Sequence, residues 1–173
     1  MPASDAPAPG RFNDADVTFA QSMIPRHQQA VEMAQPADGR ASDPEIKSLA
    51  SKIEKAQDPE ITTMRAWLKS WDKPESGSAH GMDHGSGDME GMDHSGMAGM
   101  MSKKDMAGLE AAKGTDFDKK FARMLIAHHE GAINMAEDEQ SKGRNATAKE
   151  LAGVIIKAQT AEIEQMKALL ERL

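Results

Sequence analysis

The sequence predicts an all-α fold: a four-helix bundle made of two duplicated helical hairpins, with a long Met/His-rich linker and a short extra helix between them. Three observations predict it. Long segments repeat apolar residues at helical spacing. Start and stop signals bracket each segment. The chain also matches itself. Displaced by 102 residues, FAQSMIPRHQQAVEMA (19–34) lies on FARMLIAHHEGAINMA (121–136), and LASKIEKAQDPEITTMRAWL (49–68) lies on LAGVIIKAQTAEIEQMKALL (151–170). Between 16–71 and 118–173, 20 of 56 pairs are identical without an insertion. Two unrelated amphipathic helices do not give a gap-free match of that length, so a duplicated unit is expected. One hairpin cannot bury its apolar stripe alone, whereas two packed together bury both.

Taken in order, residues 1–13 begin MPASDAPAPG and read as a disordered tether. No apolar h-region follows, so this is not a signal peptide. It suits a chain released from a signal segment or lipoprotein anchor, with Met1 as an added start. The first repeat spans 14–72. Its first helix runs from Asp14 to Gln35 and is broken by ADGRAS. Ser42-Asp43-Pro44-Glu45 starts the next helix, with a capping side chain, a first-turn proline and an acid at the positive end of the dipole. That helix reaches Trp71, and Asp72-Lys73-Pro74 ends it. The linker covers 73–101. Ser102 with Asp105 starts a short helix over 102–114 that stops at Gly114. The second repeat spans 115–173: Thr115 or Asp116 starts a helix ending near Lys142-Gly143, and the last helix runs from Ala146 to the C-terminus. Pro25 and Pro59 fall inside helices, opposite Ala127 and Ala161 in the second repeat.

Composition narrows the function. The formal charge is −7 and no basic cluster is dense enough for a nucleic-acid patch. No apolar run reaches the roughly 18 residues of a membrane span. Four Phe, two Trp and no Tyr leave an aliphatic core with Ala and Met at close contacts. With no cysteine, a soft metal must be held through Met and His.

Residues 80–101, HGMDHGSGDMEGMDHSGMAGMM, hold six Met, three His, four acids and six Gly in 22 residues. Glycine and acids suit a flexible linker. The donors His80, Met82, His84, Met89, Met92, His94, Met97, Met100 and Met101 do not. Thioether sulfur prefers Cu(I), and imidazole suits Cu(I) and Cu(II). Glycines let a chain wrap an ion at little steric cost. The acids lack the spacing of a helix-loop-helix calcium site. Metal capture is therefore expected here.

In the helices, Met124, His128 and Met135 share one face, with His129 one step round. The first repeat has Ser22, Arg26 and Met33 at those places, with Met23 and His27 one step round. Both second helices carry A-Q-x-x-E-I-x-x-M, with Gln57 and Met64 in one and Gln159 and Met166 in the other. A buried Gln asks for a partner, and a histidine of the neighbouring helix is the natural one. Met at helical spacing is ordinarily core filler, which weighs against Met33, Met64, Met135 and Met166 as ligands.

The pattern F-x-x-M-I-x-H-H-x-x-A-x-x-M-A followed by A-Q-x-x-E-I-x-x-M resembles the domain of unknown function 305 family, over 14–173 and in both repeats. The segment GMMSKKDMAGLEAAKGTDFDKKF (99–121) resembles that family's lead-in. The resemblance implies a ferritin-like bundle and, as in its CopM-like members outside the cytoplasm, copper binding. Carried over by position, it implies ligand roles for His128, His129 and Met135, for His27, Met23 and Met33, and for the closing Met64 and Met166. The chain departs from the pattern at Arg26, where the first His stands, and at Leu125, where Met124 lies alongside.

The expected function is extracytoplasmic binding of copper, Cu(I) first and Cu(II) or Ag(I) besides, for sequestration, tolerance or delivery to a copper-transfer partner. The alternative is a helical stress-response scaffold that binds metal only incidentally through the loop. A ferritin-like oxidase needs Glu-x-x-His pairs. The residues three before the histidines are Ile24, Gly77, Gly81, Gly91, Leu125 and Ile126, so no enzyme is expected.

Overall fold

The computed structural model describes residues 10–75 and 99–173. His80, Met82, His84, Met89, Met92, His94 and Met97 lie outside the described residues, as does most of the expected tether. The described chain forms α1 (Asp14–Ala34), α2 (Ala37–Arg40), α3 (Pro44–Ser70), α4 (Lys103–Ala111), α5 (Gly114–Lys142) and α6 (Ala146–Arg172). No strand occurs among the described residues, only one isolated bridge between Ala41 and Gly114.

Local chemistry sets these boundaries. Asn13 caps α1 by accepting from the Asp16 N–H, and the Asp16 carboxylate accepts from the Asn13 N–H in return. Asp43 caps α3 through the N–H groups of Glu45 and Ile46, with Pro44 in the first turn. Ser102 and Asp105 form a second reciprocal cap on α4. Asp72, at φ 60°, turns the chain away after α3. Pro25 and Pro59 are accommodated inside α1 and α3.

Two details differ from the sequence expectation. The ADGRAS break contains a single helical turn, α2, because Gly39 and Arg40 N–H both reach the Pro36 carbonyl. Gly114 does not end the short helix. That helix closes at Ala111, where the Ala112 N–H reaches Gly108 and Leu109, and Gly114 opens α5 at φ 63°. Only glycine adopts that left-handed angle without strain, and it lets α5 begin two residues after α4 is capped.

α1 pairs with α3, α5 pairs with α6, and α1 packs on α5. The core divides into two apolar clusters. One takes Ala30–Ala34 of α1, Ile46–Ile53 of α3, Phe117–Leu125 of α5, and Met166 and Leu169 of α6. The other takes Val17–Ile24 of α1, Ile61–Leu68 of α3, Ala132 and Ala136 of α5, and Ala148–Ile155 of α6. Every long helix thus contributes one end to each cluster and leaves its middle between them.

Contacts recur at the 102-residue displacement. Asp118 on α5 accepts from the N–H groups of Ser42 and Asp43, both at 3.0 Å, at the start of α3. Asp16 on α1 accepts from Arg144 at 3.1 Å and Asn145 at 3.0 Å, at the start of α6. Each hairpin therefore satisfies otherwise orphaned N–H groups at the second helix of the other.

Candidate metal centre

The middles of the four long helices carry polar residues. α1 places Arg26 and His27 between the clusters, α3 places Gln57 and Glu60, α5 places His128 and His129, and α6 places Gln159 and Glu162. Together they form a polar belt between two apolar halves. Arg26, His27, His128 and His129 are each at most 1% exposed.

Two hydrogen bonds organise the belt. His27 donates from Nε2 to Glu60 Oε1 at 2.6 Å, and His129 donates from Nε2 to Glu162 Oε1 at 2.6 Å. The expected partners, Gln57 and Gln159, do not fill this role; Gln159 Oε1 is buried with no hydrogen-bond partner among the described residues. A carboxylate one turn further along the helix is the stronger acceptor for an imidazole N–H. The signal was present, since Glu60 and Glu162 sit at the same place in both A-Q-x-x-E-I motifs.

Arg26 Nη1 donates at 2.9 Å to the main-chain oxygen of His128, the residue at its own position in the second repeat. Burial pulls the Arg26 guanidinium down to about 10. Burial, followed by the charges of Arg26, His129 and His27, holds His128 well below the ordinary histidine value, so it is neutral near pH 7. Among the described residues, His27 Nδ1, His129 Nδ1 and His128 Nε2 are all buried without a hydrogen-bond partner. Each such atom costs about 1–3 kcal/mol. An imidazole with one nitrogen on a carboxylate and the other uncommitted is the arrangement of many metal-binding histidines.

The methionines named from the sequence separate. Met33 and Met166 lie in one apolar cluster, and Met23 and Met64 in the other, all 0% exposed. Met124 packs at the edge of the first cluster and Met135 at the edge of the second, on either side of His128. The shared face is real, but it runs across the belt rather than around one point. Among the described residues, no three His, Asp or Glu side chains converge as a metal would need.

The end of the Met/His segment is held against this belt. Gln29 brackets the Met101 backbone, its Nε2 donating to the Met101 oxygen at 2.9 Å and its Oε1 accepting from the Met101 N–H at 2.8 Å. Gly99, at φ 85°, lies where any side chain would collide with the Ala127 carbonyl and the His128 main chain. Met101 and Met106 line one groove beside Gln29 and Glu32. Gln29, Met106 and the two glutamates were missed as site residues. Gln29 carried no signal, because its counterpart in the second repeat is Gly131.

The family model described as domain of unknown function, DUF305, matches residues 16–170. No curated protein matches the sequence. A presumed secreted DUF305 protein from Streptomyces coelicolor is 30% identical, with a TM-score of 0.79 over 91% of this chain and 93% of that one. A DUF305 fragment from Deinococcus radiodurans is 29% identical, with a TM-score of 0.76 over 96% and 99%. CopM, solved in a Cu(I)-bound form, is 30% identical, with a TM-score of 0.71 over 91% and 96%. CopM has also been solved with Ag and with Cu(II).

Proposed function

The chain belongs to the DUF305 family, and from that premise we propose that it is an extracytoplasmic copper-binding protein. Its cargo is Cu(I) first, with Cu(II) and Ag(I) as further ions. Its role is sequestration, tolerance or delivery rather than catalysis. Copper is captured by the Met and His side chains of 80–101, and passes to a copper-transfer partner.

One observation carries this reading: a chain with 14 Met, 6 His and no Cys has the fold of a protein solved with Cu(I), Cu(II) and Ag. Thioethers and imidazoles bind soft ions without cysteine, which suits an oxidising compartment where thiols pair as disulfides. The Gln29 clamp supports it further, because it fixes the exit of the donor-rich segment to the bundle. No helix among the described residues is long and apolar enough to cross a membrane.

The second reading is a helical stress-response scaffold that binds metal only incidentally through the loop. Full burial of Met23, Met33, Met64 and Met166 favours it for the bundle. An anaerobic Cu(I) titration against a chromophoric chelator tests both readings. The intact chain is compared with a variant in which 80–97 is a Gly/Ser linker. Copper capture predicts tight equivalents in the intact chain and loss of most of them in the variant. An intact chain that does not compete with the chelator refutes the copper reading.

A further inference from the structure

We propose that Arg26 is a resident cation of the polar belt, filling the electrostatic place of a metal ion and keeping the buried histidines closed to copper. The inference rests on the copper reading for its choice of ion, but its argument comes from the belt itself.

The belt has the components of a metal site. His27 and His129 are each held by a carboxylate through Nε2, with Nδ1 left uncommitted in the interior. His128 Nε2 is buried and uncommitted as well. Buried polar atoms without partners are uncommon and call for a reason. Methionine sulfur flanks the belt on both sides, from Met23 and Met64 in one cluster and Met33 and Met166 in the other. Without a resident cation, these donors would offer a soft ion imidazole and thioether ligands with no proton to remove from His128.

The belt already holds a cation. Arg26 is 1% exposed and its guanidinium is fixed by a hydrogen bond to the His128 carbonyl. A fixed positive charge in a low-dielectric interior repels a second cation. The carboxylates of Glu60 and Glu162, which reach the same belt from α3 and α6, are engaged by His27 and His129. Arg26 and His128 are counterparts at the 102-residue displacement, so the charge enters where the other repeat carries an imidazole. A single arginine thus converts a candidate ligand position into the cation itself. The absence of any converging set of three among the described residues agrees with a belt organised around that charge.

The test compares the intact full-length chain with R26L, which removes the charge without adding a metal donor, and with R26K, which keeps the charge. Circular dichroism first establishes that each is folded. In the anaerobic Cu(I) titration, R26L gains roughly one tight equivalent over wild type and R26K gains none. A folded R26L with the wild-type number of equivalents overturns the proposal, and so does an equal gain in R26K. Should R26L not fold, wild type decides. Cu(I) is diamagnetic, so imidazole resonances of the loaded chain remain readable. Signals of His27, His128 and His129 that stay put on loading support the proposal, and signals that shift overturn it. A wild type that binds no copper refutes the proposed function, yet a gain in R26L would still uphold the role of Arg26.

Discussion

Asp16 and Glu139 meet carboxyl to carboxyl in the buried corner where α5 hands the chain to α6. Asp16 accepts main-chain N–H groups from Asn13, Arg144 and Asn145. Burial pushes Asp16 up, but the hydrogen bond with Glu139 and those N–H groups outweigh it and bring it below the ordinary value. Glu139 is pushed up to about 9, by burial first and then by the hydrogen bond and charge of Asp16. Near pH 7 the proton of the pair therefore resides on Glu139, beside an ionised Asp16. The counterpart of Glu139 in the first repeat is Ala37, so Asp118 caps α3 without a second carboxyl.

Glu139→Gln should flatten the pH dependence of stability. Between pH 4.5 and about 9 the folded chain keeps a proton that the unfolded chain has released. The contribution of Glu139 is thus full below 4.5 and is lost as pH rises toward 9. Glutamine holds the hydrogen bond to Asp16 with no proton to lose. Urea midpoints measured from pH 5 to 9 should fall for wild type relative to the variant, with the gap widening as pH rises. Parallel curves would show that Glu139 does not hold that proton.

Asp118→Ala and Asp16→Ala should each destabilise the fold by about 1–3 kcal/mol, because each strips a charged acceptor from two or more buried or part-buried N–H groups. The two act at different ends of the bundle, on the starts of α3 and α6. Chemical denaturation gives the loss directly. Losses under about 0.5 kcal/mol would place these carboxylates among ordinary surface residues.

The frame of the molecule was legible because its signals are local. Pro44 after Asp43, and Ser102 three residues before Asp105, declare helix starts without reference to anything distant. The repeat declared the hairpins. The belt was only half legible: His27, His128 and His129 stood out as residue types, but their partners depend on which helices cross. Glu60 and Glu162 recur in both motifs, but their histidine partners show only once α1 and α5 are packed against α3 and α6. Helical spacing placed Met124, His128 and Met135 on one face, yet spacing along one helix does not say that two apolar clusters divide that face.

Met64→Leu and Met166→Leu test what the buried thioethers do. Both residues are 0% exposed and packed in opposite clusters. Leucine keeps the volume and removes the sulfur, so each change should cost less than about 1.5 kcal/mol. The number of Cu(I) equivalents should not change, since a belt closed by Arg26 gives these sulfurs no ion to share. A lost equivalent with stability intact would make them the ligands that the family resemblance implies.

Gln29→Ala should release the exit of the Met/His segment without unfolding the bundle. The side chain makes two hydrogen bonds to one residue, Met101, at 2.9 and 2.8 Å. Their removal should cost about 1–3 kcal/mol at most, because water replaces the partners at this half-exposed edge. The effect should be local. The Met101 amide should exchange with solvent at least about tenfold faster, while amides in the middle of α5 keep their protection. Cu(I) equivalents held by 80–101 should persist, but Met101 would no longer be tied to α1. An unchanged Met101 exchange rate would mean that Gly99, packed on the Ala127 carbonyl, holds the exit by itself.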